Sequence, residues 1–399
     1  MILSRGLLEE RLETRDERLL NFSIMIPFIN IRAQREAYKS EFLKAEQEVL
    51  DSGCFIGGPA VENLETELAK YTGAAHTITC ASGTDALTIA LLALGLKPGD
   101  EVIVPDFTFI APAECVMRLG GIPKFADIDA ETLQISPKGI EARIGEKTRG
   151  IIAVNLFGQC APYQEIQKLA KAHGLWLIED AAQSFGAKQN GVSACTFGDI
   201  SITSFYPAKP LGCYGDGGAL FTQDEALAQK IRLIANHGSR TRYVHEICGM
   251  NSRLDAIQAA VLCVKLRHLD DELKARRENA RKYDEFFAEY NSAVSVNGDS
   301  DKVSNGAKVV PQKIAEGNTS TYAQYTVLAD NREAFIAKLD AAGIPHCIHY
   351  PQPLHEQPCF RKLAQGCKNK NAIAVSQKVV SLPFCAFTDV DAIVEKLKQ

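Results

Sequence analysis

Along the chain, apolar runs of four or five residues alternate with longer stretches in which apolar positions recur every third or fourth residue. The short runs read as strands: Thr77-Ile78-Thr79-Cys80-Ala81, Glu101-Val102-Ile103-Val104, Gly150 to Asn155 and Leu175-Trp176-Leu177-Ile178-Glu179. Arg35 to Asp51, Glu62 to Tyr71, Ala86 to Leu94 and Tyr163 to His173 read as helices. That alternation predicts an α/β fold, a mostly parallel sheet covered by helices. The longest amphipathic stretch, Asp255 to about Tyr290, sets Ile257, Val261, Val264, Leu269 and Leu273 at helical spacing and reads as a helix joining a large domain to a smaller one. After it, Val294 to Asn318 is rich in Gly, Ser, Asn, Lys and Asp and reads as a loop. A strand over Thr321 to Leu328, a helix over Arg332 to Ala342 and a C-cap at Gly343 complete the second unit. The division expected is a charged extension at 1–24, either a weak amphipathic helix or a disordered tail, a large domain at 25–265, and a small domain at 266–399 that includes the linking helix.

Composition narrows the class. A chain of 399 residues, 46% hydrophobic and 23% charged, can bury a large core in more than one domain. A formal net charge of -5 with both signs interspersed argues against nucleic acid as a partner, and no apolar stretch is long enough to span a membrane. The twelve cysteines follow no CxxC or regular framework, which points to reduced thiols in the cytoplasm.

Three places carry candidate chemistry. Lys209 lies in Ser204-Phe205-Tyr206-Pro207-Ala208-Lys209-Pro210-Leu211-Gly212, with Gly215, Asp216, Gly217 and Gly218 just behind, so the backbone is neither ordinary helix nor ordinary strand and the lysine is held at a fixed point. A desolvated lysine is an amine nucleophile that can hold a carbonyl cofactor as a Schiff base. Asp180 ends an apolar strand where open α/β sheets bind ligands, and a carboxylate there can keep a pyridine nitrogen protonated; an N-cap would be an equal use of the same residue. Ser82-Gly83-Thr84-Asp85 opens a helix after a strand, which makes an anion cradle and, equally, an ordinary capping box. The group His346-Cys347-Ile348-His349, with His355 and Cys359, has zinc-type donors but no standard spacing, so no metal is expected.

Five ordered motifs bind these readings together: SGTDAL (Ser82 to Leu87), PDFTFIA (Pro105 to Ala111), EDAAQSFGA (Glu179 to Ala187), SFYPAKPLGCYGDGGA (Ser204 to Ala219) and GMNSRLDAIQAA (Gly249 to Ala260). From about Ile26 onward the chain resembles the DegT/DnrJ/EryC1/StrS sugar aminotransferases of the fold-type I, pyridoxal-phosphate-dependent class. The resemblance implies that Lys209 carries pyridoxal 5'-phosphate as a Schiff base, Asp180 pairs with the ring nitrogen and Gln183 bonds the ring hydroxyl. It implies that Phe109 stacks on the ring, that Gly83, Thr84 and Ser204 hold the phosphate, and that Asn251 reaches the phosphate from the neighbouring subunit of a homodimer. HGSRTRYVHEICGMNSRLDAIQAA (His237 to Ala260) and HYPQPLHEQPCF (His349 to Phe360) look most like the branch that aminates the 3-keto position of a UDP-linked 2-acetamido-2-deoxy uronic acid, with Arg253, His349 and Tyr350 facing the uronate. The expected activity is transfer of an amino group from L-glutamate to that UDP-sugar, for bacterial surface polysaccharide. A 4-keto sugar aminotransferase and a non-catalytic cofactor-binding regulator are the alternatives.

Overall fold

The computed structural model describes residues 26–296 and 308–399; the expectation for 1–24 and part of that for the loop fall outside them. The central sheet has seven strands: β1 (His76–Cys80), β2 (Glu101–Pro105), β3 (Ile122–Ala126), β4 (Thr148–Val154), β5 (Trp176–Asp180), β6 (Ile200–Ser204) and β7 (Gly218–Thr222). Their order is β1-β7-β6-β5-β4-β2-β3. Only β7 runs against its neighbours.

Alternate residues of each strand feed two cores, one on each face. Ile151 and Ala153 of β4 and Leu177 of β5 pack with Leu64, Leu68, Tyr163 and Ile166, while Ile152, Val154 and Ile178 pack with Leu87, Ile89, Ala113 and Ile231. Helices Pro59–Thr72 and Tyr163–His173 therefore cover one face, and Gly83–Ala93, Ala111–Arg118 and Glu225–Ala235 the other. With both faces covered, the strands can be apolar along nearly their whole length.

The long helix runs Ala256–Val296. Its first half gives Ala259, Leu262, Leu269 and Leu273 to a core of the large sheet, and its second half gives Ala280, Tyr283, Phe286 and Phe287 to a separate core. That second core is built on an antiparallel sheet of β8 (Val309–Pro311), β9 (Tyr325–Ala329) and β10 (Val379–Leu382), with helices Arg332–Ala341 and Val390–Lys398. The loop expected over Val294 to Asn318 is thus partly strand: Val309 is fully buried and pairs with Ala329, and Asn318–Thr319 pairs with Lys188–Gln189. The apolar pair Val309-Val310 inside a polar stretch is enough to seat an edge strand once a partner is present. After Tyr350 the chain returns to the large sheet, where Leu354 and Phe360 are buried with Phe125 and Val104. No helix among the described residues is long and apolar enough to cross a membrane. All twelve cysteines are free thiols.

Parallel strands bring their carboxyl ends to one edge. Asp180 closes β5, Ser204 closes β6, Ser82-Gly83 follows β1, and Asp106 to Phe109 follow β2. Just behind that edge, Glu179 is fully buried and its two oxygens accept from Asn155 Nδ2 (2.9 Å), Cys195 N (2.9 Å), Phe197 N (2.9 Å) and Ser201 Oγ (2.7 Å). These bonds tie the end of β5 to β4, β6 and the 195–197 turn. Removing the carboxylate strands four donors, three of them buried, so Glu179→Ala should cost roughly 3 kcal/mol or more in urea unfolding, and Glu179→Gln distinctly less. A loss below about 1 kcal/mol for the alanine variant would show that the donors do not depend on this carboxylate.

Candidate active site

The Lys209 loop is pinned from three sides. Cys213 N donates to Phe205 O (2.8 Å), Phe205 N to Gly217 O (2.8 Å), Lys209 N to Tyr206 O (2.9 Å), and Tyr214 N to Gln258 Oε1 on the long helix (2.8 Å). Glycine is required at 212, where a Cβ would lie 2.6 Å from Tyr206 O. Lys209 is partly exposed at the cleft, and burial of its ammonium pushes its pKa down, with Asp180 opposing the shift. Asp180 is 4% exposed; burial raises its pKa to about 6, opposed by the amide of Ala182, which donates at 3.0 Å, and by the charge of Lys209. An irregular turn follows Asp180, not a helix, so the carboxylate is no N-cap.

The helix start after β1 meets the end of β6. Ser82 Oγ caps the helix by accepting from Asp85 N (3.1 Å), but the Asp85 carboxylate accepts from Ser252 Oγ (2.7 Å), so the reciprocal half of a capping box is replaced by a tie to the 250–254 segment. The amides of Gly83 and Thr84 have no acceptor within the helix, as at any helix start. A Cβ on Gly83 would sit 2.8 Å from Ser204 Cβ, and one on Gly218 would sit 2.6 Å from Ser82 O. Both glycines are needed for this concave corner, whose free amides and Ser204 and Thr84 hydroxyls suit a phosphate.

Opposite Lys209 stand groups from the second unit. Tyr350 packs against Phe107 and Phe109, with ring centroids 6.1 and 6.3 Å away; burial raises its phenol pKa, while a hydrogen bond with Gln183 opposes that shift and the charge of Asp180 adds to it. Gln183 Oε1 accepts from Phe157 N (2.7 Å), which turns its amide nitrogen into the available donor. His349 Nδ1 is 3.0 Å from Ser381 Oγ, which is 2.9 Å from Thr326 Oγ1, so β9 and β10 orient this imidazole. Burial, then the charge of Lys209, hold its pKa below the ordinary value. Phe109 is 52% exposed, an aromatic face at the rim of the cleft.

The structure therefore brings together Asp180, Lys209, Gln183, His349, Tyr350 and Phe109 on one side and Gly83, Thr84 and Ser204 on the other. Asn251 and Arg253 are not joined to them by any hydrogen bond or ion pair among the described residues; Arg253 Nε donates to Asn251 Oδ1 (2.9 Å), and both side chains are exposed. The zinc-type cluster disperses: His346 lies by Asp340, His349 by Ser381, His355 by Asp106, and Cys359 is exposed. Asp106, His355 and Cys367 do have their donor atoms within 4.8 Å of one another, but Asp106 and His355 are hydrogen-bonded to each other. The tie from Ser381 and the Glu179 network escaped sequence reasoning because neither spacing nor residue type marks a contact made between residues 16 to 32 positions apart in the chain.

The profile of the DegT/DnrJ/EryC1/StrS aminotransferase family matches residues 36–398. Similar proteins include a UDP-2-acetamido-2-deoxy-3-oxo-D-glucuronate aminotransferase of Pseudomonas aeruginosa, 43% identical over 92% of this chain and 98% of that one. A pleiotropic regulatory protein of Geobacillus stearothermophilus is 43% identical over 90% and 93%, and a UDP-N-acetyl-3-dehydro-alpha-D-glucosamine 3-aminotransferase of Acidithiobacillus ferrooxidans 40% over 90% and 92%. Among solved structures, a Brucella abortus aminotransferase of the family superposes with a TM-score of 0.84, at 38% identity over 94% of this chain and 98% of that one. A Bacillus subtilis structure with bound cofactor PMP superposes at 0.82, with 28% identity over 94% and 84%. A lysine amine shielded from solvent, a buried carboxylate, a glycine-lined anion corner and an exposed aromatic ring fit the cofactor of such enzymes, and the chain belongs to the pyridoxal-phosphate-dependent DegT/DnrJ/EryC1/StrS aminotransferase family.

Proposed function

We propose that this aminotransferase moves an amino group from L-glutamate to the 3-keto carbon of a UDP-linked 2-acetamido-2-deoxy uronic acid, a building block of surface polysaccharide. The observation that carries it is the pair of buried Asp180 and half-buried Lys209, facing His349 and Tyr350 at the sheet edge. Bound there, pyridoxal phosphate supplies a carbonyl that takes up the amino group and a ring that stores the electron pair left by proton removal. Lys209 is the amine that would engage that carbonyl and, beside the substrate carbon, would hold and move its proton. Burial favours the uncharged amine this needs at neutral pH. Asp180 is ionised above about pH 6, so across neutral pH its carboxylate holds a proton at the ring nitrogen. Gln183 donates its amide to the ring hydroxyl, Phe109 covers the ring, and Gly83, Thr84 and Ser204 hold the phosphate.

His349 and Tyr350 hydrogen-bond the sugar, and Arg253 of the partner subunit takes the carboxylate. Support for position 3 comes from relatives at 43% and 40% identity whose names specify a 3-oxo or 3-dehydro sugar, which disfavours the 4-keto reading. The 40% relative is named for a sugar without the carboxylate, so the neutral 3-keto sugar is the second reading. One relative at 43% identity is named as a pleiotropic regulatory protein, and turnover of the pure protein separates a regulator from an enzyme.

Two outcomes test this account. Among the described residues no hydrogen bond or ion pair joins Asn251 or Arg253 to Lys209, as expected of residues serving a neighbour's site. Mixing inactive Lys209→Ala with inactive Asn251→Ala subunits should then restore part of the activity, because some sites in a mixed dimer are intact. No recovery after verified subunit exchange would place both roles within one chain.

The second concerns the carboxylate. A charge-assisted pair is worth about 1.5 to 3 kcal/mol, so Arg253→Ala should weaken a UDP-uronate ligand roughly 10- to 100-fold while leaving its neutral hydroxymethyl counterpart unchanged. Calorimetry of both ligands with both proteins isolates the coupling. Zero coupling, or a wild-type preference for the neutral sugar, would overturn the uronate assignment.

A further inference from the structure

Asp106 is fully buried one residue past β2, and the mechanism above does not use it. Its Oδ1 accepts from His355 N (2.9 Å), and its Oδ2 from His355 Nδ1 (2.5 Å) and Asn369 Nδ2 (2.8 Å). Its main-chain oxygen accepts from Leu354 N (2.7 Å). Every one of these donors comes from residues 354–369, the segment in which the chain returns to the large sheet. On one side of the cluster, Phe107 and Phe109 follow Asp106 directly. On the other, only Pro351-Gln352-Pro353 separates Leu354 from Tyr350, and two prolines leave that link little freedom. The two arms meet again at the Tyr350 ring, which touches both phenylalanines.

We propose that the Asp106–His355–Asn369 cluster is a positioning device: it fixes the His349–Tyr350 pair against Phe107 and Phe109, and so sets how the nucleotide sugar is held beside Lys209. His355 and Asn369 touch neither Lys209 nor Asp180, so they act through Tyr350. The inference rests on the site reading above. His355 is buried, with Nδ1 on Asp106 and Nε2 beside Glu356, and no hydrogen bond or ion pair among the described residues joins it to Lys209 or Asp180, so its part is to position and not to react. The groups facing His355 are Asp106, Glu356 (3.9 Å from Nε2), Arg143 and the thiol of Cys367. Arg143 is held on Phe125 O (2.9 Å) and Asn369 Oδ1 (3.0 Å). The hydrogen bond His355 donates to Asp106 raises the His355 pKa, against burial and Arg143. A histidine whose folded value is raised contributes stability that is fully present below its unfolded value, about 6.5, and lost as pH rises through the folded value.

The test uses cofactor-loaded His355→Gln. Hydrogen exchange at residues 349–353 and 107–109 should quicken, with cofactor content unchanged. KM for the UDP-3-keto sugar should rise about tenfold with a smaller change in kcat, and that rise should shrink to under about twofold in a Tyr350→Phe background. The Tm gap between wild type and His355→Gln should be widest near pH 6 and narrow at alkaline pH. Unchanged exchange at 349–353, or a full KM effect that persists without the Tyr350 hydroxyl, would overturn the proposal. If His355→Gln does not fold, Asn369→Ala, which removes one donor and leaves the histidine, should show the same exchange pattern in milder form, and its absence would count equally against the device. Should wild type prove inactive on every UDP-keto sugar, the substrate reading fails, while the exchange result still decides the positioning role.

Discussion

Burial of a carboxylate and an amine at one edge of a parallel sheet is the constraint on which this molecule turns. Asp180 and Lys209 are each pushed by desolvation toward the uncharged form and each resisted by the other. Such a pair is costly to keep without compensation, and the surrounding backbone is organised to keep it. The Ala182 amide caps Asp180, the Glu179 network anchors the strand that carries it, and the Lys209 loop is stitched to Phe205, Gly217 and the long helix. Perturbed groups held by rigid neighbours are the signature of a site built for proton movement.

The second constraint is shared between two cores. The long helix enters both, so the small antiparallel sheet is held at a fixed place beside the large one, and β10 delivers Ser381 to His349. The chain then re-enters the large core at Leu354 and Phe360. His349 and Tyr350 are thus braced on one side by the small sheet and on the other by the buried Asp106 cluster, which explains how residues 140 and more positions away from Lys209 in sequence come to face it.

Much of this was legible from residues alone. Strands β2, β4 and β5 and the helix Tyr163–His173 follow from runs and periodicities, because buried parallel strands are apolar throughout and their helices carry one apolar face. Lys209 was marked by its prolines and glycines, and Asp180 by its place at a strand end. Other features were not legible. Val309–Pro311 was lost in a polar stretch because its partner strand is local to the fold and not to the sequence. His355 was grouped with His349 and Cys359 by proximity in sequence, whereas its true partner is Asp106, 249 residues away. For Arg253 and Asn251 the roles came from family likeness; within one chain the bond seen between them, Arg253 Nε to Asn251 Oδ1, joins them to each other and not to Lys209.

The most direct measurement follows the absorbance of the bound cofactor in pure protein after addition of L-glutamate. If Lys209 and Asp180 act as argued, wild type should convert its cofactor to the amine form, Lys209→Ala should not turn over, and Asp180→Asn should convert at least about tenfold more slowly in a single turnover, since a neutral amide cannot hold the ring nitrogen protonated. A wild-type protein whose spectrum does not respond, or an Asp180→Asn variant as fast as wild type, would contradict the account.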